Sequence, residues 1–191
     1  MDQPLRILGI SGSLRRSSYN TAALRAAARL APEGVTIDIF DLHPIPNYDD
    51  DIQPQPAAVV ELKRRIREAD AVLIATPEYN YSISGVLKNA IDWASRPYGD
   101  NSWDGKPAGV MGASVGSFGT ARAQYDLRKM FVYLNVFALN QPEVLIANAQ
   151  DRFDEQGNLT DEDTRKFIRQ HMEALGAWTR RLAQEDAGGK S

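Results

Sequence analysis

Residues 11–20 combine side chains and backbone features that suit the binding of an anion. The segment holds a glycine, two arginines and four serines, and it leads into a run of alanines and leucines with helical spacing. Backbone N–H groups at the start of a helix favour a negative charge, and arginine adds a charge-assisted, bidentate contact. The segment therefore predicts a phosphate site. The alternative is a solvated turn in which Ser18 or Asn20 caps the helix.

Neither of the two common nucleotide fingerprints, G-x-G-x-x-G and G-x-x-x-x-G-K-[ST], occurs in the sequence. A tightly held dinucleotide is therefore disfavoured. A ligand with a single phosphate group is favoured instead.

Residues 76–85 form a second polar segment, directly after the most continuous apolar run of the chain. The segment contains two tyrosines, an asparagine and a glutamate. A flat aromatic ligand would lie against Pro77 and Tyr79, with amide and backbone groups along its edge. The alternative is a turn-rich connection whose tyrosines cap the core.

Residues 112–120 form a third segment, whose three glycines allow a ligand to approach the backbone closely. The segment also contains Gly112-x-Ser114-x-Gly116, the nucleophile-elbow pattern of serine hydrolases. Such an enzyme needs a histidine further along the chain, and only His171 is available. Because His171 falls on the apolar stripe of a helical segment, it is more typical of a packing residue than of a general base.

Apolar runs too short for helices alternate with segments of helical period along the chain. The pattern predicts strands at 5–10, 35–40, 71–76, 107–111 and 143–147, and helices at 20–30, 57–69, 86–95, 120 to about 134 and 161 to about 183. We therefore expect an α/β protein with a three-layer, doubly wound, flavodoxin-like arrangement. Its sheet has five parallel strands in the order 2-1-3-4-5.

The three polar segments each follow a predicted strand, so a parallel sheet brings them to the same edge. Ligands of doubly wound sheets bind there, at the carboxyl ends of the strands. We expect one domain over residues 1–184 and a flexible polar tail over 185–191.

The composition excludes several classes of protein. The 191 residues include no cysteine and two histidines, which excludes disulfide scaffolds, thiol catalysis and cysteine-ligated metals, and we expect no metal site. The formal net charge of -3 argues against binding to nucleic acid or to a membrane surface. With no long apolar run and no basic leader at the N-terminus, a cytoplasmic location is expected.

Two motifs, each weak alone, stand in an order and spacing that is specific in combination. The first is Ser-Gly-Ser-Leu-Arg at 11–15, with serines at 17 and 18 and asparagine at 20. The second is Pro-Glu-Tyr-Asn at 77–80, followed by Gly-x-Leu-Lys-Asn-Ala-Ile-Asp-Trp at 85–93. Together they resemble the NADPH-dependent FMN reductase family, and in particular its bacterial soluble chromate and quinone reductases. The resemblance extends from residue 5 to about residue 182.

The resemblance implies FMN, bound without a covalent link, and NADPH or NADH as co-substrate. The implied phosphate-binding residues are Ser11, Ser13, Arg15, Ser17, Ser18 and Asn20. The implied ring-binding residues are Pro77, Glu78, Tyr79 and Asn80 on one side and Ser114, Gly116 and Ser117 on the other. No catalytic acid or base is expected, because the redox chemistry belongs to the cofactor.

The resemblance implies an enzyme that passes hydride from NAD(P)H through FMN by a ping-pong mechanism. The acceptor would be a small molecule: a quinone, chromate, an azo compound or free flavin. Two alternatives stay open, a flavodoxin-like electron-transfer protein and a serine hydrolase that uses Ser114. The preference between NADPH and NADH also stays open, because we find no acidic residue at the position that holds the ribose in dinucleotide-binding folds.

Family members are usually homodimers or homotetramers. By that analogy Trp93 and its helix would face the partner subunit. Arg96 would border the substrate opening of the neighbouring subunit, and the loop over 97–105 would shape the acceptor opening.

Overall fold

The computed structural model describes residues 4–188. The strands in this part are β1 (Leu5–Ser11), β2 (Val35–Phe40), β3 (Ala71–Ala75), β4 (Pro107–Ala113), β5 (Phe137–Ala138) and β6 (Val144–Ile146). The α-helices are α1 (Tyr19–Leu30), α2 (Ala57–Glu68), α3 (Gly85–Ala94), α4 (Ala121–Leu134) and α5 (Glu162–Gly188). A short 3-10 helix covers Ala149–Asp151.

All strand pairs are parallel, and the order is β2-β1-β3-β4-β5, which confirms the predicted flavodoxin-like topology. The outermost position next to β4 is divided between two short strands. β5 pairs with the start of β4, and β6 pairs with its end. The predicted strand at 143–147 corresponds to β6. The two-residue β5 was not predicted, because two residues are too short to show an alternating pattern.

The sheet is buried on both faces, which explains the continuous apolar run in β3. Leu73 belongs to the hydrophobic cluster that α1 and α5 cover. Its neighbours Val72 and Ile74 belong to the opposite cluster, which α2, α3 and α4 cover. Successive side chains of a strand point to opposite faces, so a strand between two helical layers must be apolar throughout.

Two element ends differ from the prediction by more than one residue. β4 runs to Ala113 rather than Met111, and α5 runs to Gly188 rather than about residue 183. The predicted polar tail over 185–191 therefore begins inside α5, and its residues 189–191 lie outside the described part. Within residues 4–188 no helix has the length and apolarity needed to cross a membrane.

The expectation that Trp93 faces a partner subunit is wrong. Trp93 is buried, its indole N–H donates to the Pro46 carbonyl over 2.9 Å, and its ring meets Tyr48 edge-on. Trp103, in the loop after α3, is also buried and donates to the Ile91 carbonyl over 3.3 Å. Both indoles therefore pack α3 and its flanking loops within one chain.

Candidate active site

The loops after β1, β3 and β4 meet at the carboxyl edge of the sheet and are joined by hydrogen bonds. The Ser84 hydroxyl donates to the Gly12 carbonyl over 2.5 Å, which joins the first loop to the second. The Asn20 side chain joins the start of α1 to the end of β4. It accepts from the Ala113 N–H over 2.9 Å and donates to the Ala113 carbonyl over 3.0 Å.

The first loop leaves several backbone N–H groups available to a ligand. Ser18 is the N-cap of α1, and its hydroxyl accepts from the Thr21 N–H over 3.3 Å. Within residues 4–188 the N–H groups of Ser17, Tyr19 and Asn20 have no acceptor. Unpaired N–H groups at a helix start form an anion site, as the sequence predicted.

A cavity of about 210 Å³ lies between the three loops. Its lining includes eight of the residues predicted for the site, namely Ser13, Arg15, Ser18, Asn20, Pro77, Glu78, Tyr79 and Ser114. It also includes Tyr19, Ala113 and Val115, which were not predicted. Ala113 was missed because β4 was expected to end two residues earlier.

The other five predicted residues lie outside this lining. The Ser11 hydroxyl accepts from Thr21 over 2.8 Å and borders a second cavity on the far side of the first loop. Ser17 lines a surface cavity beside α1, and the last three are exposed nearby: Asn80, Gly116 and Ser117. Their assignment to the cofactor stays a prediction.

The second loop forms a tight hairpin turn. Tyr79 and Ser82 exchange backbone hydrogen bonds of 3.0 Å in both directions. The two residues between them have positive φ, 52° at Asn80 and 67° at Tyr81, as a type I′ turn requires. Positive φ is uncommon for tyrosine and costs of order 1–3 kcal/mol, so surrounding contacts must hold this turn.

Glu78 supplies one of these contacts. Its carboxylate is buried and accepts from the backbone N–H groups of Arg122 and Ala123 at 3.1 and 3.2 Å. It also accepts from the Arg122 guanidinium, at 2.5 Å from Nε. The carboxylate thus fastens the second loop to the start of α4, where an anion is favoured.

Exposed apolar side chains lie on the second and third loops, beside the cavity that Tyr79 and Val115 line. The Arg122 guanidinium lies 3.8 Å from the centre of the Tyr81 ring and 4.6 Å from that of Phe118. Both rings are largely exposed, as are Tyr79 and Val115. This set of four exposed side chains, Tyr79, Tyr81, Val115 and Phe118, is called the aromatic rim below.

The third loop needs glycine for close packing. A Cβ atom on Gly112 would lie 1.9 Å from Thr120 Oγ1 and 2.5 Å from the Thr76 carbonyl oxygen. Ser114 itself lacks the positive φ of a strained elbow, and α4 begins only at Ala121. The glycine pattern therefore serves loop packing, and it does not form a nucleophile elbow.

His171 does not form a catalytic pair with Ser114. The histidine is buried, its Nδ1 lies 2.8 Å from the Pro142 carbonyl oxygen, and its Nε2 lies 2.7 Å from where a Cβ on Gly109 would stand. Burial lowers its pKa below the ordinary value, so the ring is neutral. The predicted packing role is confirmed.

The expectation for Arg96 concerns the opening of a neighbouring subunit and stays a prediction. Its guanidinium lies 4.2 Å from the centre of the Tyr98 ring, and the Tyr133 hydroxyl raises the pKa of Arg96. Arg96 is absent from the lining of this chain's own cavity between the three loops.

The comparison with known proteins identifies the family. A sequence profile described as NADPH-dependent FMN reductase matches residues 5–151. The chain belongs to this family. A Pseudomonas aeruginosa relative, NAD(P)H-dependent FMN reductase, is 54% identical over 184 residues, 95% of this chain and 99% of the relative. A Burkholderia relative, 2-hydroxy-1,4-benzoquinone reductase, is 45% identical over 177 residues, 92% of this chain and 97% of the relative.

A solved structure supports the same assignment. The flavoenzyme NAD(P)H:(acceptor) oxidoreductase FerB from Paracoccus denitrificans superposes with a TM-score of 0.86 at 38% identity. The match covers 93% of this chain and 98% of that chain. Membership in the FMN reductase family confirms the predicted oxidoreductase class, FMN as cofactor and dependence on NAD(P)H.

The residues of this chain fit FMN. The start of α1, with its unpaired N–H groups, and Arg15 line the cavity together with Pro77, Tyr79 and Val115. This lining combines anion-binding groups with apolar side chains that suit a flat ring.

One polar residue near the site escaped the sequence analysis. Asp41 directly follows β2 and lines the second cavity, beside the first loop. The sequence could have indicated Asp41, because it is the first residue after the predicted strand 35–40. The expectation that no acidic residue stands at this position is therefore wrong.

Proposed function

We propose that this protein is an FMN-dependent NAD(P)H oxidoreductase whose acceptor is a quinone. The observation that carries the proposal is the cavity between the three loops. Its lining combines the anion-binding start of α1 and Arg15 with apolar side chains, as FMN requires. Two members of the aromatic rim, Tyr79 and Val115, border it.

The chain's own residues would hold FMN from both ends. The proposed phosphate ligands are Ser13, Arg15, Ser17 and Ser18, with the N–H groups at the start of α1. Pro77, Glu78, Tyr79 and Asn80 would line one side of the ring, and Ser114, Gly116 and Ser117 the other. Bound FMN would supply the hydride chemistry, and the protein would orient the substrates and exclude water.

The aromatic rim favours a flat organic acceptor. Exposed aromatic rings bind flat apolar molecules by stacking and by burial of apolar surface. Quinones, azo compounds and free flavin have this shape, whereas chromate is a tetrahedral anion and is proposed only from the resemblance to bacterial chromate and quinone reductases. The name of the Burkholderia relative supports the choice of quinone. Because the nicotinamide and the acceptor would use the same opening in turn, we propose ping-pong kinetics.

We further propose a cytoplasmic homodimer or homotetramer. The outer face of α4 supports an assembly, because Tyr125, Val132 and Tyr133 are 56%, 85% and 69% exposed on one helix. The cytoplasm is proposed because NAD(P)H is supplied there.

The experiment is a visible absorption spectrum of the purified protein, recorded before and after addition of NADPH or NADH without oxygen. We expect flavin bands that bleach on addition of the nicotinamide and return on addition of a benzoquinone. Bands that persist would contradict the reductase and favour an electron-transfer protein. A colourless protein that takes up no added FMN would overturn the cofactor assignment, and a phosphonate label on Ser114 would then test for a hydrolase.

A further inference from the structure

A second cavity, of about 270 Å³, lies at the carboxyl ends of β1 and β2. The first loop separates it from the proposed flavin cavity, since Ser13 and Arg15 line both. Of the phosphate ligands proposed above, Ser13 and Arg15 border this second cavity, whereas Ser17 and Ser18 do not. We call it the β2-end cavity.

The lining of the β2-end cavity combines an apolar part with polar groups at its border. Leu42 is buried, Ile39 and Phe40 are half-buried, and all three border the cavity together with Leu14. Ser11, Ser13 and Thr21 contribute hydroxyl groups. Small-molecule sites typically combine an apolar lining with a few placed polar groups, and a nucleoside presents this mixture of a flat base and a hydroxylated sugar.

Asp41 occupies a position at which dinucleotide-binding folds place a ribose-binding acidic residue. It is the first residue after β2, and β2 is the neighbour of β1, whose loop leads into α1. In dinucleotide-binding folds an acidic residue there hydrogen-bonds the ribose 2′-hydroxyl of NAD, and a nearby arginine accommodates the 2′-phosphate of NADP.

The Asp41 carboxylate is held in place with one oxygen available. The backbone N–H of His43 donates to Oδ1 over 3.0 Å, and the His43 ring Nδ1 lies 2.6 Å from the same oxygen. The N–H of His43 and then its ring lower the pKa of Asp41, so the carboxylate is ionised at neutral pH. Within residues 4–188, Oδ2 has no hydrogen-bond partner.

Arg16 brings the opposite charge to the same cavity. It is exposed and, among the described residues, forms no ion pair, whereas Arg64, Arg65 and Arg67 each pair with a carboxylate. Unlike Arg15, Arg16 does not line the proposed flavin cavity. Its guanidinium is therefore available for a phosphate other than that of FMN.

We propose that the β2-end cavity binds the adenosine end of the nicotinamide co-substrate. Asp41 accepts a hydrogen bond from the ribose 2′-hydroxyl, and Arg16 binds the 2′-phosphate that distinguishes NADPH from NADH. The inference rests on the proposed function, because it assumes that NAD(P)H is the co-substrate.

The first test measures binding without turnover. FMN-loaded protein is titrated calorimetrically with 5′-AMP and with adenosine 2′,5′-bisphosphate. We expect Arg16→Ala to weaken binding of the bisphosphate about tenfold and to leave 5′-AMP within about twofold. Asp41→Ala should weaken binding of 5′-AMP about tenfold and spare the bisphosphate. Arg29→Ala and Asp163→Ala, two exposed residues away from both cavities, are the matched controls.

The second test is the ratio of kcat/KM for NADPH to kcat/KM for NADH. Arg16→Ala should lower the ratio about tenfold, and Asp41→Ala should raise it about tenfold. If neither probe binds the unmodified protein, or if both substitutions affect both nucleotides equally, the adenosine site lies elsewhere and the proposal fails. Failure of the proposed function is distinct, since neither nicotinamide would then bleach the flavin even where the probes bind.

Discussion

Asn20 shows how one side chain joins two parts of the site. The residue is 4% exposed, and both ends of its amide are hydrogen-bonded to the backbone of Ala113. In the sequence it reads as a phosphate ligand or a helix cap, but the cap is Ser18. Its partner is 93 residues away in the chain, and no local pattern indicates that pairing.

We predict that Asn20→Asp destabilises the protein by about 2–4 kcal/mol. The carboxylate keeps the size of the amide but cannot donate, so the buried Ala113 carbonyl would face a negative charge. Urea denaturation measures the loss, and the exposed substitution Asn140→Asp should change stability by less than about 0.5 kcal/mol. Equal stability of the two variants would contradict this assignment.

Because His171 is buried, we expect the free energy of unfolding to depend on pH. Burial lowers its pKa below the ordinary value of 6.5, so below that pH the unfolded chain binds a proton that the folded chain resists. The free energy of unfolding therefore falls by up to about 1.4 kcal/mol per pH unit as the pH drops below about 6.5.

We expect His171→Gln to reduce this slope, because glutamine does not titrate and its amide can still donate to the Pro142 carbonyl. Urea denaturation at several pH values between about 7.5 and 5 measures the slope of the unfolding free energy against pH. An unchanged slope in His171→Gln would show that this histidine titrates normally.

The second loop and α4 act as one unit. Glu78 binds the start of α4 through Arg122, and the Ser82 hydroxyl donates to Asp126 one turn further along the helix. The hydrogen bonds to Lys129 and then to Ser82 lower the pKa of Asp126 and keep it ionised. These contacts hold the strained turn at Asn80 and Tyr81, which borders the proposed ring site.

We predict that Arg122→Ala weakens FMN binding about tenfold, because the turn loses the guanidinium that pairs with Glu78 and stacks on Tyr81. Arg122→Lys should restore the affinity only in part, since lysine cannot pair bidentately or stack as a plane. Flavin fluorescence measures the dissociation constant.

Lys88→Ala, which removes an exposed ion pair with Asp92 on α3, is the control and should bind FMN normally. If Arg122→Ala also retains full affinity, the tie between the second loop and α4 does not position the ring site.

Across the whole molecule, short-range patterns predicted the layers, the strand order and the three loops that form the site. Each of these features follows from hydrophobic period and from the parallel sheet. The patterns did not predict that the Glu78 carboxylate binds α4 or that Trp93 packs against Pro46, because these contacts join residues more than 40 positions apart. Asp41 was missed for a different reason: without a G-x-G-x-x-G fingerprint after β1, the sequence does not mark the end of β2 as a ribose position.

The exposed face of α4 indicates where the chains would contact each other in the proposed assembly. Tyr125, Val132 and Tyr133 are spaced by seven and eight residues, which places them on one side of the helix. A helix face with apolar side chains in water is stabilised when a second chain covers it.

We predict that Val132→Asp dissociates the assembly and raises its dissociation constant at least about a hundredfold, because the interface would have to bury an unpaired charge. Sedimentation equilibrium measures the change. Val60→Asp, at an exposed valine on α2, is the matched control and should assemble normally. Dissociation in Val60→Asp but not in Val132→Asp would move the interface to α2. A monomeric unmodified protein would contradict the proposed homo-oligomer altogether.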